Sequence, residues 1–237
     1  MYYLYGFDWT YLVLIVPCFI ISIICQIKVK SAYGKYAKIP NSRRMTGAQA
    51  AEWVLRQNNV SGVRIEHVGG SLTDHFDPRT NVIRLSDGVY DSASVAAVGI
   101  AAHEAGHAVQ HAQNYLPNKI RSVIVPIANI GSKVSWLLFI LGFLFAFRFD
   151  SPIGSVLLYI GIFLFSFSVI FTLVTLPVEF NASSRALKCI RETNLLTTEE
   201  YGGVKSVLSA AAMTYVSSAL TAMAQLLRLL LLARRRN

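Results

Sequence analysis

Four long apolar runs and one mixed stretch, lying between the first run and the second, set the organisation of this chain. Trp9 to Ile27 is long enough to cross a hydrocarbon layer of about 30 Å. No lysine or arginine precedes it and no small-residue cleavage signal follows, so it is expected to be an uncleaved anchor. Further apolar runs extend from about Ile130 to Phe147 and from Ile153 to Val178. Arg148, Asp150 and Pro152 between them predict a tight turn, and with it a transmembrane hairpin that leaves and returns on one side. The last run, Ser206 to Leu227, carries Ala210, Ala211, Ala212, Ser217, Ser218 and Ala219, as closely packed membrane helices do. It allows a fourth span. Because Arg234, Arg235 and Arg236 would then lie outside, it equally allows a helix packed on the polar domain or lying at the interface.

From about Tyr33 to Asn118 the pattern is that of a small globular domain. Thr46 with Gln49 forms a capping box and predicts a helix through about Gln57. Val63 to Val68 and Asn81 to Ser86 alternate as half-buried strands, linked through Gly69-Gly70 and Asp77-Pro78 turn signals. Asp91 or Ser92 offers an N-cap to a helix rich in alanine, valine and isoleucine, closed by Asn114 and Pro117. Gly99 and Gly106 each cost this helix about 1 kcal/mol, and with Ala101, Ala102, Ala105 and Ala108 they describe a helix tightly packed by its neighbours.

Composition agrees with a membrane protein: 54% of the 237 residues are hydrophobic and 15% charged, with a mean hydropathy of +0.46. A net charge of +9 would suit a nucleic-acid partner, but the basic residues cluster beside apolar spans. Lys28, Lys30, Lys35, Lys38, Arg43 and Arg44 directly follow the first span, which predicts an external N-terminus and a cytoplasmic polar domain. A lipid bilayer is therefore the expected partner, and nucleic acid is not. Cys18, Cys25 and Cys189 make neither a disulfide framework nor a thiolate zinc site.

Within the last helix of the polar domain stands His103-Glu104-Ala105-Gly106-His107, the H-E-x-x-H pattern of zinc-dependent peptidases. On a helix each residue turns about 100°, so the two histidines share a face and can bind one ion. Glu104 is displaced from them around the helix, beside the open coordination position, where a carboxylate can take a proton from water without being a ligand. Two satisfied core histidines would be the bland alternative. A paired spacing with an acid between and almost no other charge nearby is poorly explained by packing.

A third ligand is required. His111 continues the spacing, but eight residues of helix rise about 12 Å and rotate it about 80° from His103, so His111 is expected to be an outer polar residue. Glu179 ends a long uncharged run, and a carboxylate there completes a His₂Glu set, which favours zinc over other divalent ions; the alternative is an interfacial acid. The strand preceding the metal-binding helix, Val82 to Leu85, is a candidate sheet edge for pairing with an extended peptide.

The His103-Glu104-x-x-His107 motif, a membrane hairpin and Leu176-Pro177-Val178-Glu179-Phe180 together make the chain resemble, over nearly its whole length, the YugP-like family of putative neutral zinc membrane peptidases. Thr73-Asp74-His75-Phe76-Asp77-Pro78-Arg79 and Thr214-Tyr215-Val216 also look like that family, which is similar in layout to HtpX-like and CAAX-prenyl membrane peptidases. The resemblance implies His103, His107 and Glu179 as zinc ligands and Glu104 as general base and acid. Gluzincin peptidases often carry an aspartate four residues after the ligand glutamate, where this chain has Ser183, a weaker orienter unless Asn181 or another group substitutes. Candidates for stabilising the oxyanion are Tyr215 and His75, ahead of Tyr90 and Arg185.

These readings predict an α+β membrane protein, mostly helical, with three to four transmembrane helices and a small gluzincin-like domain made of a few-stranded sheet and the His103 helix. The expected segments are an anchor (1–30), a cytoplasmic catalytic subdomain (31–120), a transmembrane hairpin (121–178), a Glu179 helix region (179–203) and a C-terminal helix with a basic tail (204–237). The expected function is zinc-dependent hydrolysis of peptide bonds, using one Zn²⁺, at the cytoplasmic face of the cell membrane, on peptide or membrane-protein substrates. The rival is a membrane scaffold with a structural zinc; Glu104 argues against it, since a structural site needs no acid beside an open position. Ion transport has little support, the spans offering little charge beyond Lys133. Oligomeric state has no signature in these residues.

Overall fold

The structure, a computed structural model, describes residues 9–149 and 152–234. Asp150 of the expected turn and Arg235 and Arg236 of the basic tail lie outside them. A π-helical turn, Tyr11–Ile15, leads into α1 (Val16–Tyr36), followed by α2 (Gly47–Gln57), β1 (Arg64–His67), β2 (His75–Asp77), β3 (Val82–Leu85), α3 (Val95–Ala112), α4 (Leu116–Arg148), α5 (Pro152–Glu192) and α6 (Thr198–Arg234). Among the described residues, four helices are long and apolar enough to cross a membrane: Tyr11–Tyr36, Leu116–Ala146, Pro152–Glu192 and Thr198–Arg234. The protein is thus an α+β membrane protein, and its C-terminal helix has the length and composition of a fourth span.

The residues form two compact units: Cys25–Asn118 with Leu176–Thr214, and Met1–Ile24 with Lys119–Thr175 and Tyr215–Asn237. In the second of these, α4 and α5 run antiparallel. Gly131 closes on Leu164, Gly142 on Leu158, and Gly154 on Ala146, each so near that a Cβ on the glycine would come within 3.0 Å of its neighbour. Small residues let backbones approach closely where lipid offers no hydrophobic drive for association. Leu229 and Ala233 of α6 join Phe139, Leu158 and Ile162 in a small buried cluster, and the Arg228 guanidinium lies over the Tyr11 ring at 5.2 Å.

In the other unit, α2 opens with the predicted capping box: Thr46 Oγ1 accepts from the Gln49 N–H, and Gln49 Oε1 accepts from the Thr46 N–H. α3 begins later than Asp91 or Ser92 would have it. Its cap is Ser94, whose hydroxyl accepts from the Ala97 N–H. The reason lies in tertiary pairing: the carbonyls of Ser92 and Ala93 accept from Gly47 and Asn41, and Val95 N–H donates to Ile39, so this stretch is held extended. The helix ends as expected at Asn114, in the left-handed region at φ 56°.

The sheet has three strands in the order β1-β3-β2, with β1 parallel and β2 antiparallel to β3. Two were legible from alternation. β2 was not, being a strand of only three residues, His75-Phe76-Asp77, turned back towards β3 by the Asp77 carboxylate, which accepts from Arg79 N–H and the Thr80 hydroxyl. The expectation that Val82 to Leu85 forms a peptide-binding edge is therefore corrected: β3 is central, both its sides already paired, and β1 and β2 carry the outer edges.

The core of this unit gathers Val54, Ile83, Leu85, Val98, Ala102 and Ala105 with Ala186, Ile190 and Val204 from α5 and α6. α3 makes room for both long helices with its glycines. A Cβ on Gly106 would stand 2.6 Å from the Ala182 carbonyl oxygen, and one on Gly99 would stand 2.9 Å from Val204 Cγ1. Contact at Gly106 and Ala182 is what carries the histidines of α3 to the acid of α5.

Candidate metal centre

His103 and His107 project from one face of α3 with their rings edge to face, centroids 4.6 Å apart. Their Nε2 atoms are 3.1 Å from each other. Glu179 Oε2 lies 3.3 Å from the first and 3.4 Å from the second. An ion with bonds of about 2.0–2.1 Å in tetrahedral geometry spaces its ligand atoms about 3.3 Å apart. The observed triangle has that size, so these three side chains fit one zinc ion. All three are largely withdrawn from solvent, with side-chain exposures of 14%, 13% and 3%.

The charge of the site favours a cation. Burial on its own would push the His107 pKa down, but its hydrogen bond to Glu179 and the nearby charges of Glu104 and Glu179 outweigh that and raise it above the ordinary histidine value. The negative potential that holds a proton on imidazole also attracts a metal. Glu104 is itself buried on α3.

Outer partners set the direction of both rings. Ser183 Oγ stands 3.0 Å from His103 Nδ1, and Gln110 Oε1 stands 3.1 Å from His107 Nδ1. The Ser183 hydroxyl and the Gln110 oxygen can each accept from an Nδ1–H, and in the neutral imidazoles that leaves the Nε2 lone pairs on the Glu179 side, available to a cation. The serine in place of aspartate thus does contact a histidine of the cluster. Gln110, fully buried, was not anticipated, although its position three residues beyond His107 on α3 places it on the same face. Its Nε2 donates to the Val178 carbonyl at 2.7 Å and to Asn181 Oδ1 at 2.9 Å. Arg185 in turn donates from Nε to Asn181 Oδ1 at 2.7 Å and from Nη1 to Gln113 Oε1 at 2.6 Å.

His111 is exposed, with its ring 5.8 Å from that of Phe76 on β2, and is not a member of the cluster. His75 is exposed on β2, with Nδ1 2.8 Å from the Thr73 carbonyl. The adjoining Asp74 accepts from the backbone and hydroxyl of Ser86, fastening the loop to the end of β3. Tyr90 packs its ring edge-on to His67 at 5.6 Å. Tyr215 is half-buried on α6 and belongs to the other unit.

Residues 11–234 match a family model described as "Putative neutral zinc metallopeptidase". The chain is 45% identical over 208 residues to "Putative membrane protease YugP" of Bacillus subtilis (strain 168), an overlap covering 87% of this chain and 89% of that protein. No solved structure matches it. A match spanning almost every residue, on a chain that brings two histidines and a glutamate to zinc-ligand distances, places this protein in the putative neutral zinc metallopeptidase family.

Proposed function

We propose that the protein is a membrane-embedded endopeptidase that hydrolyses peptide bonds at the cytoplasmic face, with His103, His107 and Glu179 holding one zinc ion and Glu104 moving the proton. The observation that carries this reading is the ligand triangle of 3.1, 3.3 and 3.4 Å with a second buried acid next in sequence to His103. When bound there, zinc supplies Lewis acidity, polarising the scissile carbonyl and lowering the pKa of water towards about 7. The Glu104 carboxylate accepts a proton from the attacking water as its oxygen bonds to the carbonyl carbon. It returns that proton to the nitrogen as the carbon–nitrogen bond breaks.

Two further features support the reading. Among the described residues β2 is an outer strand of the sheet, and it packs on α3 through Phe76 and His111, so an extended peptide can add as a strand there, recognised by main-chain hydrogen bonds. The basic residues from Lys28 to Arg44 follow the first span directly, which supports a cytoplasmic position for the residues carrying the histidines.

The test is cleavage of an unfolded reporter by detergent-purified protein, wild type against Glu104→Gln, with zinc quantified in both. The expected result is a loss of roughly 10²–10⁴-fold in rate with zinc retained, as removal of a general base gives. Zinc retained with cleavage undiminished would remove Glu104 from the chemistry. Zinc retained with cleavage by neither protein would favour the structural-zinc scaffold.

A further inference from the structure

The outer hydrogen bonds around His107 form a chain whose polarity can be deduced without ambiguity from its end members. Arg185 can only donate, so the Asn181 atom facing its Nε at 2.7 Å is the oxygen. The Val178 backbone oxygen can only accept, so the Gln110 atom 2.7 Å from it is the amide nitrogen. That nitrogen also reaches Asn181 Oδ1 at 2.9 Å, so both anchors demand the same orientation of the Gln110 amide. The remaining Gln110 atom, 3.1 Å from His107 Nδ1, is therefore an oxygen and can only accept. It admits a proton on Nδ1 and leaves Nε2 as the lone-pair donor. The geometry points to Gln110 as the positioning residue of the site: its oxygen fixes the tautomer and ring direction of His107, while its nitrogen ties that histidine to the turn of α5 that carries Glu179.

Position strengthens the assignment. Gln110 is completely buried on α3, and an amide in such a place is costly unless each of its groups is satisfied. Here a single side chain meets a zinc-ligand candidate on its own helix, the carbonyl of the residue immediately before Glu179, and Asn181 two residues after it. No charge is spent in doing so. The role differs from that of Ser183, which touches His103 alone among the ligand candidates.

The inference rests on the zinc reading above, and its test separates the two. The protein is prepared without metal as wild type, Gln110→Met and Gln110→Glu; zinc dissociation constants are measured by competition with a chromophoric chelator, thermal midpoints of the metal-free forms are recorded, and cobalt(II) is added to compare visible spectra. Methionine keeps the side-chain length and loses both functions, so its zinc dissociation constant is expected to rise about 10- to 100-fold, with altered cobalt bands. Glutamate keeps an acceptor for Nδ1–H and gives up the donor. It is expected to bind zinc within about tenfold of wild type and more tightly than methionine does, while its metal-free midpoint falls. Affinity unchanged in the methionine variant, or lost equally in both, would overturn the positioning role, since equal loss is what a merely structural tie produces. A wild type that binds no zinc would instead overturn the underlying reading. Gln110→Ala serves the same comparison should the methionine variant not fold.

Discussion

His103 and His107 differ in what holds their far nitrogens: a serine hydroxyl for one, a primary amide for the other. Neither partner is charged, so both raise ligand basicity less than a carboxylate would. Replacing Ser183 by alanine removes the hydroxyl acceptor of His103 and is expected to raise the zinc dissociation constant about tenfold, whereas Ser183→Asp should lower it. Chelator competition on the two variants checks this, and equal affinity in both would show that the hydroxyl has no orienting role. The sequence makes the cluster legible because helical spacing alone brings His103 and His107 together, and because an acid at the end of an uncharged run, Glu179, needs a cation to be buried. Gln110 escaped notice for the opposite reason. An uncharged amide raises no alarm in a helix until its burial and its partners are seen.

At the level of elements, local signals succeeded where the chain satisfies itself locally. The Thr46 capping box is complete within four residues and set the start of α2 correctly. The start of α3 was misjudged because Ser92 and Ala93 spend their carbonyls on Gly47 and Asn41, partners far away in sequence. β2 was missed because three residues with a single apolar member, Phe76, are too short to show a strand period, and its existence turns β3 into the central strand. The glycine at 106 was legible as a sign of close packing, and the structure supplies the partner: the Ala182 carbonyl, one helical turn from Glu179. Gly106→Ala gains about 1 kcal/mol of helix propensity, but a new Cβ 2.6 Å from a backbone oxygen cannot be relieved by a side-chain rotation. Overpacking of about 1–3 kcal/mol should win. The expected outcome is a lower thermal midpoint and weaker zinc binding, because widening the α3–α5 contact pulls Glu179 from the histidines. A midpoint above wild type would show that the helices have slack at this point.

Over the whole molecule, composition and the four apolar runs were enough to read an α+β membrane protein, and the described helices extend well beyond the apolar residues themselves. α5 runs from Pro152 to Glu192, so a single helix contains both a candidate span and Glu179. Hydropathy shows only the apolar part of such a helix, which is why its full length was not apparent. Orientation in the membrane is a prediction of the basic residues after the first span. A Ser61→Cys variant, exposed on the unit that carries the histidines, is expected to react with a membrane-impermeant maleimide only after the cells are permeabilised; the buried native cysteines give a low background. Labelling of intact cells would reverse the topology. The central claim, that His103, His107 and Glu179 hold a zinc ion the reaction requires, is tested most directly by measuring reporter cleavage and zinc content together in purified protein, before chelation, after it, and after zinc is restored. One zinc per chain, cleavage abolished on its removal and recovered on its return, is the predicted result; full cleavage by the zinc-free protein would contradict it.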